Sequence, residues 1–517
     1  STMSPFAANA ETTASISLGA WCTNVTHRPR IKLRFTGTKV VCTLGPATSS
    51  VESIKQLIEA GATVFRLNFS HGTHAQHTEA LKNIRLAEQQ LHTQVAVLQD
   101  LCGPKIRVSH TRGDQPLELQ VGQRITLTTR QFYEQAVAPT ALSSATPSFD
   151  LATNYEPILN DVNVGEPILL NDGRQRIKVI SKRATWLECE VIQGGKISKG
   201  KGINLPQADL STPSVTPKDW EDLAWGLEQR VDFVALSFVR SAADIIQVRD
   251  HLDRVSSPIQ IIAKIERPEA LINIEEILQW SDGVMVARGD LAIETDCAQV
   301  PLVQKQLIER CRELNKPVIT ATQLLDSMVD SPMPTRAEVS DIANAVLDGT
   351  DALMLSNETA VGQFPQLAVE TLMKVSLTTQ PVARRKFATQ VMPCETRIAA
   401  MVQSAAALAD RCEASAIAIY TQSGFAARQL SSLRVGCPVI ACTNSAVTVR
   451  QMGLSYGVNP VMLDAFMDRH SLIPHLVQIG LENHWWSEGD RVVVVASQDG
   501  CGGDLNVIQV VTVESSY

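Results

Sequence analysis

The chain has 517 residues, of which 44% are hydrophobic and 19% charged, and 46 Lys and Arg against 54 Asp and Glu give a formal net charge of −8. This length is enough for about three domains, and the mild negative charge and the absence of a long apolar run predict neither a nucleic-acid nor a membrane partner. The eleven cysteines contain no C-x-x-C pair, so we expect a reducing, cytoplasmic location without disulfides or a zinc site.

The first 35 residues differ from the rest of the chain. They are rich in Ser, Thr and Ala and contain one acidic residue, Glu11. A transit peptide has this composition, and so does a disordered or loosely docked tail. No clear amphipathic arginine face is present, which favours the tail. We therefore expect residues 1–35 to be an N-terminal extension. Its basic residues at the C-terminal side are Arg28, Arg30, Lys32 and Arg34.

A strand–helix alternation fills residues 36–107 and 212–385. Three short apolar strands, "KVVCTL", "TVFRLNF" and "QVAVLQD", precede an interruption, and five more follow it. Short, continuously apolar strands that alternate with helices predict a parallel sheet covered by helices. Eight such units predict a closed (β/α)8 TIM barrel.

Two further domains are predicted. Residues 108–211 contain "LELQVGQRITLTT" and "WLECEVIQGGKISKGKGINLP", which alternate apolar and polar residues and carry Gly and Asn-Asp-Gly turns. This pattern predicts a small antiparallel β-barrel, inserted after the third strand, where it can close over the site as a lid. Residues 386–517 alternate "AIAIY", "CPVIAC", "RVVVVAS" and "VIQVVTV" with helical stretches, which predicts a separate C-terminal α/β domain.

Polar side chains recur where the barrel strands end, which is the end at which TIM-barrel active sites lie. Glu266 and Asp290 follow adjacent strands, with Lys264 beside them. Mg²⁺ prefers one or two protein carboxylates plus substrate oxygens, and cations around it would neutralise a transferring phosphoryl group. The strand-end residues are Arg66, Asn68, Ser70, His71, Asp100, Lys105, Arg107, Lys264, Glu266, Asp290, Thr320, Thr322, Ser356 and Glu358.

Each of these residues also has a plainer interpretation. An isolated Lys264–Glu266 pair is more often a structural ion pair, Asp290 suits a turn cap, and Thr322 suits the core. The cysteines, including Cys102, are expected to be small buried hydrophobes, and His74 and His77 to face solvent. The functional interpretation is favoured because charged residues recur at the same end of at least four strands.

Long ordered motifs between about residues 38 and 365 resemble the pyruvate kinase family. They are "TKVVCTLGPAT", "FRLNFSHG", "GPKIR", "KGINLP", "DFVALSF", "IIAKIE", "VMVARGDLAIE", "KPVITATQLLDSM" and "PTRAEVSDIANAVLDGTDALMLSNETAVGQFP". The resemblance implies transfer of a phosphoryl group from phosphoenolpyruvate to ADP, giving pyruvate and ATP in glycolysis. It also implies a homotetramer that is regulated through the C-terminal domain. The rival hypotheses are a metal-dependent lyase or aldolase and a catalytically inactive paralogue.

The resemblance also implies site residues. Glu266 and Asp290 would hold Mg²⁺ or Mn²⁺, while Lys264 and Arg66 would contact the phosphoryl group. Gly289, Asp290 and Thr322 would bind the substrate carboxylate, with Thr322 near the carbon that is protonated. The ADP phosphates would meet His71, Arg107 and Lys201. The family's K⁺ site would be formed by Asn68, Ser70, Asp100 and Leu101.

The chain departs from the family's usual pattern at a few positions. Leu101-Cys102, Ala292 and Asn357 replace the usual residues without removing a metal ligand. Lys105 stands where one branch of the family has Glu, so we expect its ammonium to replace K⁺, which is then not required. A phosphorylated sugar or nucleotide effector is expected at a loop in the C-terminal domain. That loop comprises Thr421, Gln422, Ser423, Gly424, Phe425 and Ala426.

Overall fold

The computed structural model of the chain describes residues 37–137, 149–387, 390, 392–463, 469–497 and 505–514. The predicted N-terminal extension, residues 1–35, lies outside the described residues. Within the described ranges, no helix combines the length and the apolar character that crossing a membrane requires.

Eight parallel strands close into a barrel, which confirms the predicted TIM barrel. In chain order, the barrel strands are Lys39–Thr43, Ala62–Asn68, Ala96–Asp100, Phe233–Leu236, Gln260–Ile265, Gly283–Ala287, Val318–Ala321 and Ala352–Leu355. The surrounding helices are Val51–Ala60, His74–Leu91, Pro217–Gln229, Ala242–Arg254, Pro268–Ile272, Ile274–Trp280, Arg288–Glu294, Val300–Glu313, Arg336–Asp348, Asn357–Ala360 and Pro365–Phe387, with a 3₁₀ turn at Asp326–Val329.

The strand period of two decides which side chains reach the site. Ile261 and Ala263 belong to the core between the strands and the outer helices, whereas Ile262 belongs to the core inside the barrel. Lys264 and Glu266 continue the inward-facing series of Ile262. The strand therefore carries its apolar residues into the barrel interior and its two charges onto the C-terminal rim.

The inserted lid forms one seven-stranded sheet and one two-stranded sheet around its own apolar core. The prediction of a wholly antiparallel domain is wrong for one pair, because Arg124–Thr129 and Leu151–Thr153 run parallel. A helix, Arg130–Val137, stands in the connection between them, as the crossover of a parallel pair requires. The other lid elements are Val108–Thr111, Leu117–Leu119, Ile158–Asp161, Pro167–Leu170, Gln175–Lys182, Trp186–Gln193, Gly195–Ile197 and Ile203–Asn204, with a 3₁₀ turn at Arg112–Asp114.

The C-terminal α/β domain contains a five-stranded sheet rather than the four strands that the sequence indicated. The missed strand is Val458–Met462, in which Asn459 and Pro460 interrupt the apolar pattern. It lies at the edge of the sheet, where a proline costs no ladder hydrogen bond. The other elements are Arg397–Arg411, Ala416–Tyr420, Phe425–Ser432, Val439–Thr443, Ala446–Met452, Arg469–Glu482, Arg491–Ala496 and Val507–Thr512.

Candidate active site

Lys264 lies at the centre of a buried charge cluster on the C-terminal rim. Its Nζ is 3.0 Å from Glu266 Oε1 and 3.2 Å from Asp100 Oδ1, and it donates a 2.7 Å hydrogen bond to Ser237 Oγ. Burial opposes the charged form, but Asp100 and Glu266 outweigh it and raise the pKa of Lys264 above its ordinary value. The lysine therefore stays protonated with its ammonium fixed by three oxygen atoms.

Asp100 joins Lys264 to the second cation of the cluster, Arg66. Arg66 Nε donates to Asp100 Oδ2 over 2.7 Å, and its Nη1 donates to Thr43 Oγ1 over 3.0 Å. Although burial opposes it, Lys264 and Arg66 hold the pKa of Asp100 below its ordinary value. Two fixed cations thus face the same rim, which suits a multiply charged anion.

Glu266 and Asp290 supply the carboxylates of this rim. Glu266 Oε2 accepts a 2.7 Å hydrogen bond from the Phe238 backbone N–H. Asp290 lies in the first turn of the helix Arg288–Glu294, and burial followed by repulsion from Glu266 raises the pKa of Asp290 to about 6. Two neighbouring carboxylates that repel each other are a hard-oxygen donor set, and this fits Mg²⁺ or Mn²⁺. The described residues hold no group of three or more metal-binding side chains, and Mg²⁺ needs only two carboxylates when substrate and water supply the rest.

Thr322 is held against Gly289 in an unusual backbone conformation. Its φ is 69°, which is rare for a β-branched residue and costs about 1–3 kcal/mol. The Gly289 N–H donates to Thr322 Oγ1 over 2.8 Å, and Arg288 Nη2 donates to the Thr322 carbonyl over 2.6 Å. Arg288 is itself anchored to Asp341 at 2.7 Å. The threonine hydroxyl and a helix N-terminus therefore meet at one point on the rim.

The three predicted nucleotide-binding residues also lie near one another. The Arg107 guanidinium donates to the Gly200 carbonyl over 2.8 Å. The N–H of Val108, the residue after Arg107, donates to the Lys201 carbonyl, also over 2.8 Å. Partial burial, then Lys105 and then Arg107 lower the pKa of His71. Arg107 and Lys201, near the points where the chain enters and leaves the lid, therefore form one basic region with His71, which follows the second barrel strand.

The predicted K⁺-site residues adjoin the Lys264 charge cluster, with Asn68 in register with Asp100, and Lys105 lies near enough to Lys264 for their charges to interact. The Ser70 N–H donates to Asn68 Oδ1 over 3.1 Å, and Ser237 Oγ donates to the Leu101 carbonyl over 2.7 Å. Lys105 is half-buried. Burial lowers the pKa of Lys105, and repulsion from Lys264 adds to this effect while Cys102 opposes it.

The predicted effector loop lies at the start of a helix in the C-terminal domain. The Gly424 N–H donates to Thr421 Oγ1 over 3.0 Å, and Gly424 has the positive φ of 77° that a glycine adopts without strain. Arg428, one turn into the helix, donates to the Ser423 carbonyl over 3.2 Å. Ser423, Gln422 and Phe425 are exposed.

Several strand-end residues turn out to be structural. Thr320 bonds Thr350 in the core, with 2.9 Å between their hydroxyls. Glu358 accepts the N–H groups of Leu325 and Ser356, at 3.0 and 2.7 Å. Thr320 pairs with another core hydroxyl and Glu358 satisfies backbone donors, so neither joins the charge cluster.

Two expectations about surface and core residues hold only in part. His77 stacks on Phe69 with 4.1 Å between ring centroids and contacts the His71 carbonyl at 2.9 Å, and His74 contacts Asp222 at 2.7 Å. Stacking leaves the His77 ring half-buried, whereas His74 stays exposed, as expected, although its Nε2 contacts a buried carboxylate. The cysteines are not uniformly buried either, since Cys297 and Cys394 are exposed and Cys102 is half-buried.

Sequence reasoning missed three kinds of residue at this rim. Ser237 supports Lys264, the Phe238 backbone supports Glu266, and Arg288 supports Thr322. Ser237 and Phe238 directly follow the fourth strand, in the motif "DFVALSF", so their position at the rim was visible. That they contact Lys264 and Glu266 on the neighbouring strand was not predictable, because contacts between strands leave no periodic signal in the sequence.

Comparison with known proteins decides the family. The family model described as pyruvate kinase, barrel domain, matches residues 35–369, and the pyruvate kinase alpha/beta domain model matches residues 399–511. The chain belongs to the pyruvate kinase family. It is a phosphotransferase of glycolysis, and divalent-metal dependence and allostery are general features of this family.

Individual relatives agree with this assignment. Pyruvate kinase 2 of Synechocystis is 42% identical over 484 residues, covering 92% of this chain and 79% of the relative. Pyruvate kinase of Sporosarcina psychrophila is 40% identical over 480 residues, covering 92% and 80%. The crystal structure of a pyruvate kinase from Cryptosporidium parvum superposes with a TM-score of 0.85 at 33% identity, covering 93% of this chain and 97% of that one.

Proposed function

We propose that phosphoryl transfer from phosphoenolpyruvate to ADP takes place at the C-terminal rim of the barrel, around Lys264. The observation that carries this proposal is the shared cluster of Lys264, Arg66, Asp100 and Glu266, in which the ammonium lies 3.0 and 3.2 Å from two carboxylates. Two fixed cations next to carboxylates that can hold a metal are what a transferring phosphoryl group requires.

Glu266 and Asp290 would hold the divalent ion, Mg²⁺ or Mn²⁺. When bound, the ion neutralises negative charge on the substrate oxygens and on the transferring group. Burial, together with repulsion from Glu266, raises the pKa of Asp290 to about 6, and this supports the role because a bound cation would relieve both effects.

The chain's own residues orient and stabilise the reacting groups. Lys264 and Arg66 present positive charge to the phosphoryl group, and neither needs to reorganise because Asp100 holds both. The Gly289 N–H and the Thr322 hydroxyl, which meet at 2.8 Å, would bind the substrate carboxylate. Thr322 would then lie near the carbon that receives a proton as the enolate becomes pyruvate.

ADP would bind between the rim and the lid. Arg107, Lys201 and His71 would contact its phosphates, and the Arg107–Gly200 bond supports a common position for the first two. A lactate-dehydrogenase-coupled assay with phosphoenolpyruvate, ADP and Mg²⁺ tests the whole proposal. Turnover that requires all three supports it, and turnover that survives without ADP would exclude it.

The proposal includes independence from K⁺. Lys105 is half-buried, and Lys264 and Arg107 are near enough to help lower its pKa, which supports an ammonium at the rim rather than in solvent. Two cations within a few Å at low dielectric repel by several kcal/mol, so Lys105 and K⁺ would exclude each other. We expect near-full activity in tetramethylammonium and acquired K⁺ dependence in Lys105→Glu. Strong K⁺ activation of the parent enzyme would contradict this.

Regulation is proposed at the loop Thr421 to Ala426, where a phosphorylated sugar or nucleotide would activate a cytoplasmic homotetramer. The positive φ of Gly424 and the nearby Arg428 guanidinium support a phosphate there. Ser423→Asp should abolish activation by charge repulsion and spare basal turnover. An unchanged effector response in this variant would move the site elsewhere.

A further inference from the structure

A second buried ionic cluster lies between the lid and the helix that carries Asp290. Its centre is Arg267, which is only 2% exposed. Arg267 Nη2 donates to Glu269 Oε1 over 2.8 Å and to the Ala208 carbonyl, at the lid's exit, over 3.2 Å. Its Nη1 is 3.6 Å from Glu294 Oε2. The same guanidinium therefore contacts the lid's return segment and the barrel.

Glu294 connects this cluster to both parts of the site. It is the last residue of the helix Arg288–Glu294, one turn after Asp290. Its Oε1 accepts a 2.8 Å hydrogen bond from Asn204 Nδ2, which belongs to the lid strand Ile203–Asn204. Asn204 comes three residues after Lys201. A single side-chain hydrogen bond thus links the nucleotide-binding part of the lid to the metal-binding helix.

The Glu294 carboxylate is incompletely satisfied in this conformation. Its Oε2 is buried and has no hydrogen-bond partner among the described residues, because 3.6 Å to Arg267 exceeds hydrogen-bond distance. A buried carboxylate oxygen without a partner is unfavourable. A small displacement of the lid that brings the Asn204 amide within hydrogen-bond distance of Oε2, or that lets Arg267 turn toward it by shifting the Ala208 carbonyl, would remove this penalty, so the contact favours lid closure.

We propose that Asn204, Glu294 and Arg267 form a latch through which ADP binding in the lid orders the helix that carries Asp290. Glu294 is then a positioning residue for the metal end of the site, and Asn204 determines whether the lid engages it. This inference rests on the proposed function, since it takes Lys201 and Arg107 as the ADP contacts of the lid.

Amide hydrogen exchange of the full-length protein tests the latch without turnover. We expect ADP alone to slow exchange across residues 288–294 about tenfold in the parent. In Asn204→Asp two carboxylates face each other. In Glu294→Gln the amide oxygen can still accept from Asn204, but the charge that strengthens this bond and pairs with Arg267 is lost, so each variant should reduce the ADP effect to less than about twofold. The double variant exchanges donor and acceptor, re-forms a charge-assisted hydrogen bond and should restore the effect.

Asn163→Asp is the matched control. Asn163 Nδ2 donates to Glu166 Oε1 over 3.0 Å on the lid surface, so this variant places an Asp beside a Glu in the lid, with solvent screening, without touching the barrel and should keep the parental response. Melting curves verify folding, and Glu294→Gln carries the test by itself if Asn204→Asp does not fold. A parent without an ADP effect, or single variants that keep it, would overturn the latch.

Lys201→Ala separates the latch from the function on which it rests. If this variant binds ADP as tightly as the parent by calorimetry, the proposed nucleotide site is wrong and the latch fails with it. If it binds ADP more weakly while Asn204→Asp and Glu294→Gln keep the exchange response, the latch alone is wrong.

Discussion

The two ends of the barrel both carry buried charges, but the charges have different partners. At the N-terminal end, three charges at or just before the start of a strand meet the C-terminal domain. Lys39 donates to the Val458 carbonyl over 2.6 Å, Asp232 pairs with Arg450 at 2.8 Å, and Asp351 pairs with Arg434 at 3.1 Å. These pairs hold two domains together.

At the C-terminal end the charges converge on one another instead. Lys264 contacts two carboxylates, and burial, with repulsion from Glu266, raises the pKa of Asp290 to about 6. A group of carboxylates left in mutual repulsion is unfavourable until a cation joins it. Buried charge alone therefore does not mark an active site, whereas charge that the protein itself leaves unbalanced does.

Removing a carboxylate from the C-terminal end should have the largest effect. We expect Asp290→Asn to lower kcat about 10³-fold, because loss of a metal ligand removes several kcal/mol of transition-state stabilisation. Titration of Mn²⁺ followed by electron paramagnetic resonance should show correspondingly weaker binding. Asp296→Asn is the control, since Asp296 is exposed and six residues away. Equal Mn²⁺ affinity in Asp290→Asn and Asp296→Asn would refute the metal assignment.

Removing a carboxylate from the N-terminal end should change stability instead. Asp232 accepts hydrogen bonds from Arg450 Nε and from the Val97 N–H, both at 2.8 Å. Asp232→Asn leaves the Arg450 guanidinium without its buried partner, which should cost about 3 kcal/mol of unfolding free energy. Urea unfolding midpoints measure this, and kcat of the folded variant should stay within about twofold of the parent. A tenfold loss of kcat without destabilisation would show that Asp232 acts in catalysis and not in holding the domains together.

The pH dependence of stability should reveal Lys39. Burial lowers the pKa of Lys39 from 10.5 to about 8, so between these values the unfolded chain binds more protons than the folded one. Stability should therefore rise with pH across this window, by up to about 3 kcal/mol from this group. The measurement is the difference in unfolding free energy between the parent and Lys39→Met at pH 7 and pH 10. A difference that does not change with pH would show that Lys39 does not cause the pH dependence of stability.

The barrel and the rim residues were predictable because their signals are local. Each barrel strand is a short apolar run, and polar residues follow it directly, so Lys264, Glu266 and Asp290 were assigned to one end before any contact was known. The strand that contains Pro460 was missed because an edge position, which permits proline, is a property of the assembled sheet.

The supporting contacts were not predictable for a similar reason. Ser237, just after one strand, reaches Lys264 on the neighbouring strand, and Arg267, just after a strand, reaches Glu294 at the end of a separate helix. The sequence places Arg267 beside Glu266 and indicates only that a charge follows the strand. Whether that charge is solvated or 2% exposed depends on the lid packed above it.

One pair of identical substitutions tests the comparison most directly. Lys264 and Lys39 are both buried lysines on barrel strands, 9% and 4% exposed, at opposite ends of the barrel. The coupled assay with phosphoenolpyruvate, ADP and Mg²⁺ should show kcat about 10³-fold lower in Lys264→Met, because its charge acts in the transition state. In Lys39→Met kcat should stay within about twofold of the parent, because this lysine contacts only the domain interface. Near-normal turnover in Lys264→Met, or equal losses in both variants, would contradict the account.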